Sequence, residues 1–169
     1  MVYGQLGRLR DSLGSIELAE QLYPAQPEED PSYLYAEFTP ASLRLEQGLA
    51  HIALGERYPV HRHPQQASQI FAQMEHSGSA TVPDRIRLEI TNHRATAAVL
   101  LNELDAFETS VRLGIAGVAR LGSKQRQHEM RIACQRAIER WPHERRIHAL
   151  TEEVRLATRG SDDEQRGAV

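Results

Sequence analysis

A chain of 169 residues, 40% hydrophobic and 25% charged, is long enough to bury one continuous core. Its formal net charge of −3, with acids and bases interleaved, leaves no basic face of the kind that binds nucleic acid, and no apolar run reaches the length of a membrane span. Cys134 stands alone, which excludes an internal disulfide framework, and the N-terminus lacks the basic-then-hydrophobic order of a signal peptide; a cytoplasmic location is expected. Aromatic residues are scarce at 5%, while Ala, Leu, Arg, Glu and Gln fill the long segments, so the expected class is all-α with no sheet.

The first helix is read from Leu6, Leu9, Leu13, Ile16 and Ala19, spaced by threes and fours, and it ends before Tyr23-Pro24. Three prolines and three acids between residues 24 and 31 mark a solvated linker within the connecting segment 23–39, and the apolar cluster Tyr33, Leu34, Tyr35 and Phe38 that follows is expected to fold back onto a helix surface. Thr39-Pro40 is a helix start, because threonine can accept from a free backbone N–H and proline tolerates the first helical position. That second helix is expected to run to Leu54, with Gly55 supplying a left-handed stop, and an inserted loop from Glu56 to His63 precedes a third near Pro64 to His76. Ser77-Gly-Ser-Ala-Thr81 reads as a flexible loop, and Pro83-Asp84 begins a fourth helix carrying Ile86, Ile90, Ala97, Leu100 and Leu101 inward.

A tight turn at residues 102–105 follows, with Asp105 and Glu108 at the spacing of a capping box. The fifth helix carries Phe107, Val111, Ile115 and Val118, with Gly114 and Gly117 on a seam where a neighbouring helix can come close. Gly122-Ser123 combines a stop with a start for the sixth, Pro142 opens the seventh, and the small polar residues 157–169 read as a disordered tail. One helical domain over residues 1–156 is the expected organisation.

One register occurs twice. Gly48 to Gly55 followed by Ala67, Phe71 and Met74 has a counterpart in Asn92 to Asn102 followed by Phe107, Val111 and Gly114, the small-large-small spacing of a tetratricopeptide helical hairpin. Helix one, with Leu13-Gly-Ser-Ile-Glu-Leu-Ala19, is similar to the second helix of a repeat whose first is missing, so the chain reads as a fragment of a longer array. Tyr35 to Leu43, Gly48 to Gly55, Arg85 to Ala97, Leu121 to Arg126 and Trp141-Pro142 with Ile147 and Leu150 together resemble the C-terminal tetratricopeptide-like domain of bacterial transcriptional regulators associated with Cro-type helix-turn-helix modules. The resemblance covers residues 30–156.

It implies a concave surface that takes a peptide, a small molecule or another protein domain. Carried over by register, that inner face has Leu45, Leu49 and Ile52 on helix two and Glu89, His93 and Thr96 on helix four, with Asn92 beside them able both to donate to and to accept from a peptide backbone. The implied role is a protein- or peptide-binding regulatory module that senses a partner; a scaffold that forms homodimers is the alternative.

Catalysis and metals have less to stand on. No nucleophile elbow or phosphate loop occurs, the paired acids Glu28-Glu29 and Glu152-Glu153 read as solvated charge, and His61-Arg-His63 offers two ligands where a zinc site needs three or four. The expectation is no enzyme activity, no cofactor, no metal and no direct nucleic-acid binding.

Overall fold

The computed structural model describes residues 6–23, 39–58, 62–76 and 83–166. Among these the chain is all-helical, with seven helices and no strand: α1 (Leu9–Leu22), α2 (Pro40–Arg57), α3 (His63–His76), α4 (Asp84–Leu101), α5 (Leu104–Leu121), α6 (Lys124–Arg140) and α7 (Arg145–Arg166). None is long and apolar enough to cross a membrane. Contacts gather the chain into two compact units, Met1–Ser79 and Ala80–Val169, where the sequence reading counted one domain. The division falls between Ser79 and Ala80, and the Ser77 to Thr81 segment expected to be a flexible loop lies outside the described residues.

In the first unit α2 packs on α3 as an antiparallel hairpin, and α1 lies against α2. Leu45, Leu54, Ala67, Phe71 and Met74 are buried in it, and full burial of side chains such as Leu54 and Phe71 contributes about 1.5–3 kcal/mol each. The hairpin closes tightly because Gly48 faces the Phe71 ring. A Cβ at Gly48 would lie 2.6 Å from Phe71 Cζ, and the ring is fully buried and rigid. Gly48→Ala therefore gains about 1 kcal/mol of helix propensity but forces overpacking that costs about 1–3 kcal/mol. A net loss in urea unfolding, with amide exchange accelerating in α2 and α3, is the expected result; a stabilised variant would mean that the ring moves freely.

The predicted face of α1 is met in part: Leu9, Ile16 and Ala19 are partly buried, and Leu6 and Leu13 are not. Leu6 is 63% exposed and Leu13 38% exposed, whereas Ser12, Ile16 and Ala19 border a crevice with Leu43, Gln47 and Ala50 of α2. Gln47 donates from Nε2 to Glu20 Oε1 at 2.9 Å, and Tyr58 donates to the Gly7 carbonyl at 2.5 Å. Two polar tethers thus add to the contact that Ile16 and Ala19 make with α2.

In the second unit α4 packs against α5 and α6, and α7 closes the bundle against α5 and α6. Its core joins Leu88, Val99, Phe107, Val111, Met130, Cys134, Ile147, Leu150 and Val154. Cys134 is a core thiol: burial pushes it up to about 11, against a hydrogen bond with Thr151, so it stays protonated and unreactive at neutral pH. Gly114 and Gly117 form the expected seam. A Cβ at Gly117 would lie 2.9 Å from Leu88 Cδ1, and one at Gly114 would overlap Met130 Cε.

The helix ends follow local chemistry in part. Thr39 Oγ1 accepts from the Ser42 N–H at 3.1 Å with Pro40 at the first helical position, and Asn102 and Gly122 take left-handed conformations at φ 62° and 57° to close α4 and α5. Three readings are corrected. Gly55 is no stop: α2 continues to Arg57, and Gly55 serves by lacking a Cβ that would sit 2.7 Å from Pro64 Cγ. Asp105 and Glu108 form no capping box, since α5 starts at Leu104 and both carboxylates accept from the Arg146 guanidinium, at 3.1 and 3.4 Å. The last helix begins at Arg145 and continues to Arg166, through residues read as a disordered tail. The 24–38 part of the linker, with the Tyr33 to Phe38 cluster, and His61 lie outside the described residues.

Candidate functional site

An ionic cluster joins α4 to α6. Positions 89 and 93 are one turn apart and share a face of α4, which brings Glu89 and His93 together opposite the first two turns of α6. Arg126 Nη1 reaches Glu89 Oε2 at 2.9 Å and Glu129 Oε2 at 2.8 Å, so one guanidinium holds two carboxylates. The side chains are 5%, 14% and 16% exposed respectively, far from the solvated condition in which ion pairs count for little. Asn92 donates from Nδ2 to the Arg126 carbonyl at 2.9 Å and lies 3.4 Å from Glu129 Oε2, which ties the α6 backbone to α4.

Electrostatics follow from this crowding. Burial, and then the charges of Arg126 and Arg136, hold the His93 imidazole down at about 4, so it is neutral at pH 7. Burial raises the Glu129 carboxyl, with the nearby Glu89 charge acting the same way, against the opposing pull of Arg126 and the Asn92 hydrogen bond. The donor atoms of Glu89, His93 and Glu129 lie within 4.8 Å of one another.

Glu89, Asn92 and His93, expected on an open inner face, lie together on α4 and face α6. Asn92 and Thr96 are 1% and 5% exposed, and the Thr96 hydroxyl sits 3.5 Å from its own helix's Asn92 carbonyl, so neither is open to a ligand. Leu45 and Ile52 are likewise buried, and Leu49 is partly buried. Arg126 and Glu129 escaped the sequence reading. They lie 33 to 40 residues from Glu89 and His93, and nothing local distinguishes Arg126 from the other arginines of α6.

A separate groove of about 370 Å³ runs between α4 and α5. Leu88, Leu113, Ala116, Gly117 and Leu121 give it an apolar floor, and Asp84, Arg87, Thr91 and Arg120 edge it. Asp84 pairs with Arg120 at 2.8 Å and with Arg87 at 3.7 Å, while Leu113 stands 63% exposed. Gly117 makes the groove possible, since its missing side chain leaves room beside Leu88.

In the first unit, buried His51 and His63 meet with Nδ1 atoms 3.1 Å apart and rings stacked at a centroid distance of 5.3 Å. One ring donates and the other accepts, and the accepting ring is neutral. Burial, and then the neighbouring His63, push His51 down to about 4. Comparison with protein-family models, with curated proteins and with solved structures finds no match to this chain.

Proposed function

We propose that this chain is a tetratricopeptide-like protein- or peptide-binding regulatory module, the partner-sensing part of a bacterial transcriptional regulator, and that it acts by binding rather than catalysis, in the cytoplasm. The observation that carries the reading is the α4–α5 groove, whose apolar floor between charged edges is the form that accepts the apolar face of a helix or an extended segment. Support also comes from the helical hairpins themselves, because stacked pairs leave one face of each hairpin to meet a partner. The contacting residues on this reading are Leu113, Leu121 and Arg120, in place of the buried Asn92 and Thr96.

Native mass spectrometry and light scattering on the purified chain, followed by a peptide-array screen, test the proposal. A monomer that selects peptides with apolar residues at helical spacing, and loses them by about ten-fold or more when Leu113→Glu removes an apolar anchor, is the expected outcome. Binding indifferent to Leu113→Glu would sink the groove. A tight dimer without ligand would favour the second reading, self-assembly, for which the exposed Leu13, Leu18 and Leu22 of α1 are the motivating observation.

A further inference from the structure

We propose that Glu89, His93 and Glu129 form a site for a divalent transition metal of the zinc type, with Arg126 as the counter-ion that holds the two carboxylates when the metal is absent. The donor set is one imidazole and two carboxylates, which is a ligand set that zinc accepts with solvent completing the shell. Their donors already lie within 4.8 Å of one another, and in a tetrahedral shell they would sit roughly 3.3 Å apart. Glu89 and His93 share one face of α4 and Glu129 comes from the facing α6, so the approach required is between side chains of two helices already packed together. Ligands drawn from facing helices of a bundle are how metal sites are commonly built in helical proteins.

Arg126 is what decides the affinity. Its Nη1 contacts the Oε2 atom of each carboxylate, so the second oxygen of each is not engaged by that nitrogen. The guanidinium can therefore remain on one oxygen of each ligand and orient it, in the way that outer-shell groups fix ligating carboxylates. It also places a positive charge beside the incoming cation, as Arg136 does from farther along α6, and that repulsion keeps the site weaker than a dedicated zinc cage. Imidazole in the set selects Zn²⁺ or Co²⁺ over Mg²⁺ and Ca²⁺, which prefer all-oxygen shells. His63, at the start of α3, lies outside this ligand set, so His63 variants leave the site intact.

Calorimetric titration of the full chain with Zn²⁺, and with Co²⁺ monitored by visible absorption, tests this directly. One saturable ion per chain is expected, with a tetrahedral or five-coordinate Co²⁺ spectrum, and with binding lost in both His93→Ala and Glu129→Gln but kept in His63→Ala. Arg126→Met should bind Zn²⁺ about ten-fold more tightly than the parent, because a like charge has gone, and added Zn²⁺ should raise its unfolding midpoint by mass action. No saturable binding by the parent chain, or binding that survives His93→Ala and Glu129→Gln, overturns the proposal. So does an Arg126→Met chain that folds but binds no more tightly. Loss of fold in Arg126→Met leaves the parent and the two ligand variants to decide.

Discussion

Replacing Arg126 with alanine is expected to destabilise the second unit by about 3–5 kcal/mol, the cost of leaving buried charges without their partner. The magnitude follows from burial: Arg126 is 5% exposed and is the ion-pair partner of both Glu89 and Glu129, which are nearly as enclosed. The Arg155–Glu152 and Arg112–Glu153 pairs are a built-in contrast, since they lie on exposed surface and their removal should leave the unfolding midpoint close to that of the parent. Trp141 makes the measurement specific, because it packs on Phe107 at 5.8 Å and so reports the second unit by fluorescence. Two compact units need not unfold together, and a probe seated in one of them keeps the free energy well defined.

The pH dependence of that loss distinguishes a charge effect from a packing effect. Without Arg126 the Glu129 carboxylate is enclosed with no cation beside it, so its folded-state affinity for protons rises further above its unfolded value. A group shifted upward stabilises the fold once it is protonated, and the penalty of Arg126→Ala should shrink as pH falls from 7 toward 5. Glu129 already leans in this direction with Arg126 present. A penalty that stays constant over this range would assign the effect to lost packing of the arginine stem.

Acid should weaken the first unit through His51. The unfolded imidazole takes up a proton as pH falls through its ordinary value of 6.5, but in the fold it does so only near 4, because burial and then His63 oppose the charge. Between these values the unfolded chain binds more protons, so stability is complete above pH 6.5 and drains away as pH drops toward 4. The shift corresponds to a loss on the order of 3 kcal/mol by pH 4. Histidine proton resonances in an NMR titration should show His51 silent through pH 6, and amide exchange in α2 and α3 should accelerate below that point. His51→Phe should flatten the pH dependence of the first unit; an unchanged profile would place the acid sensitivity elsewhere. The charged and titratable neighbours that bear on this prediction are His63, seated against His51 at 3.1 Å, and Glu20, which reaches α2 through Gln47.

Much of this molecule was legible in its residues. Leucine, alanine and phenylalanine at spacings of three and four set the helices, because only a 3.6-residue period brings Phe107, Val111 and Val118 onto one buried stripe. Thr39-Pro40 and Gly122 were readable since a cap and a left-handed stop act within a few residues. The all-α class, and the seven helices among the described residues, follow from these short-range rules alone.

Tertiary structure decided everything that a single residue could do in two ways. Glycine either ends a helix or admits a neighbour, and only the position of the Pro64 ring shows that Gly55 does the second. Asp105 and Glu108 could cap α5 or meet a cation, and the docking of α7 delivers Arg146 to them. Glu89, Asn92 and His93 fall on one face of α4 by periodicity, yet periodicity is silent on whether that face meets water or a helix. The packing of α6 against it places Arg126 and Glu129 there, from more than thirty residues away. The sequence by itself determined which side chains travel together on each helix; only packing determined what they face, because burial and charge pairing are properties of neighbours distant in the chain.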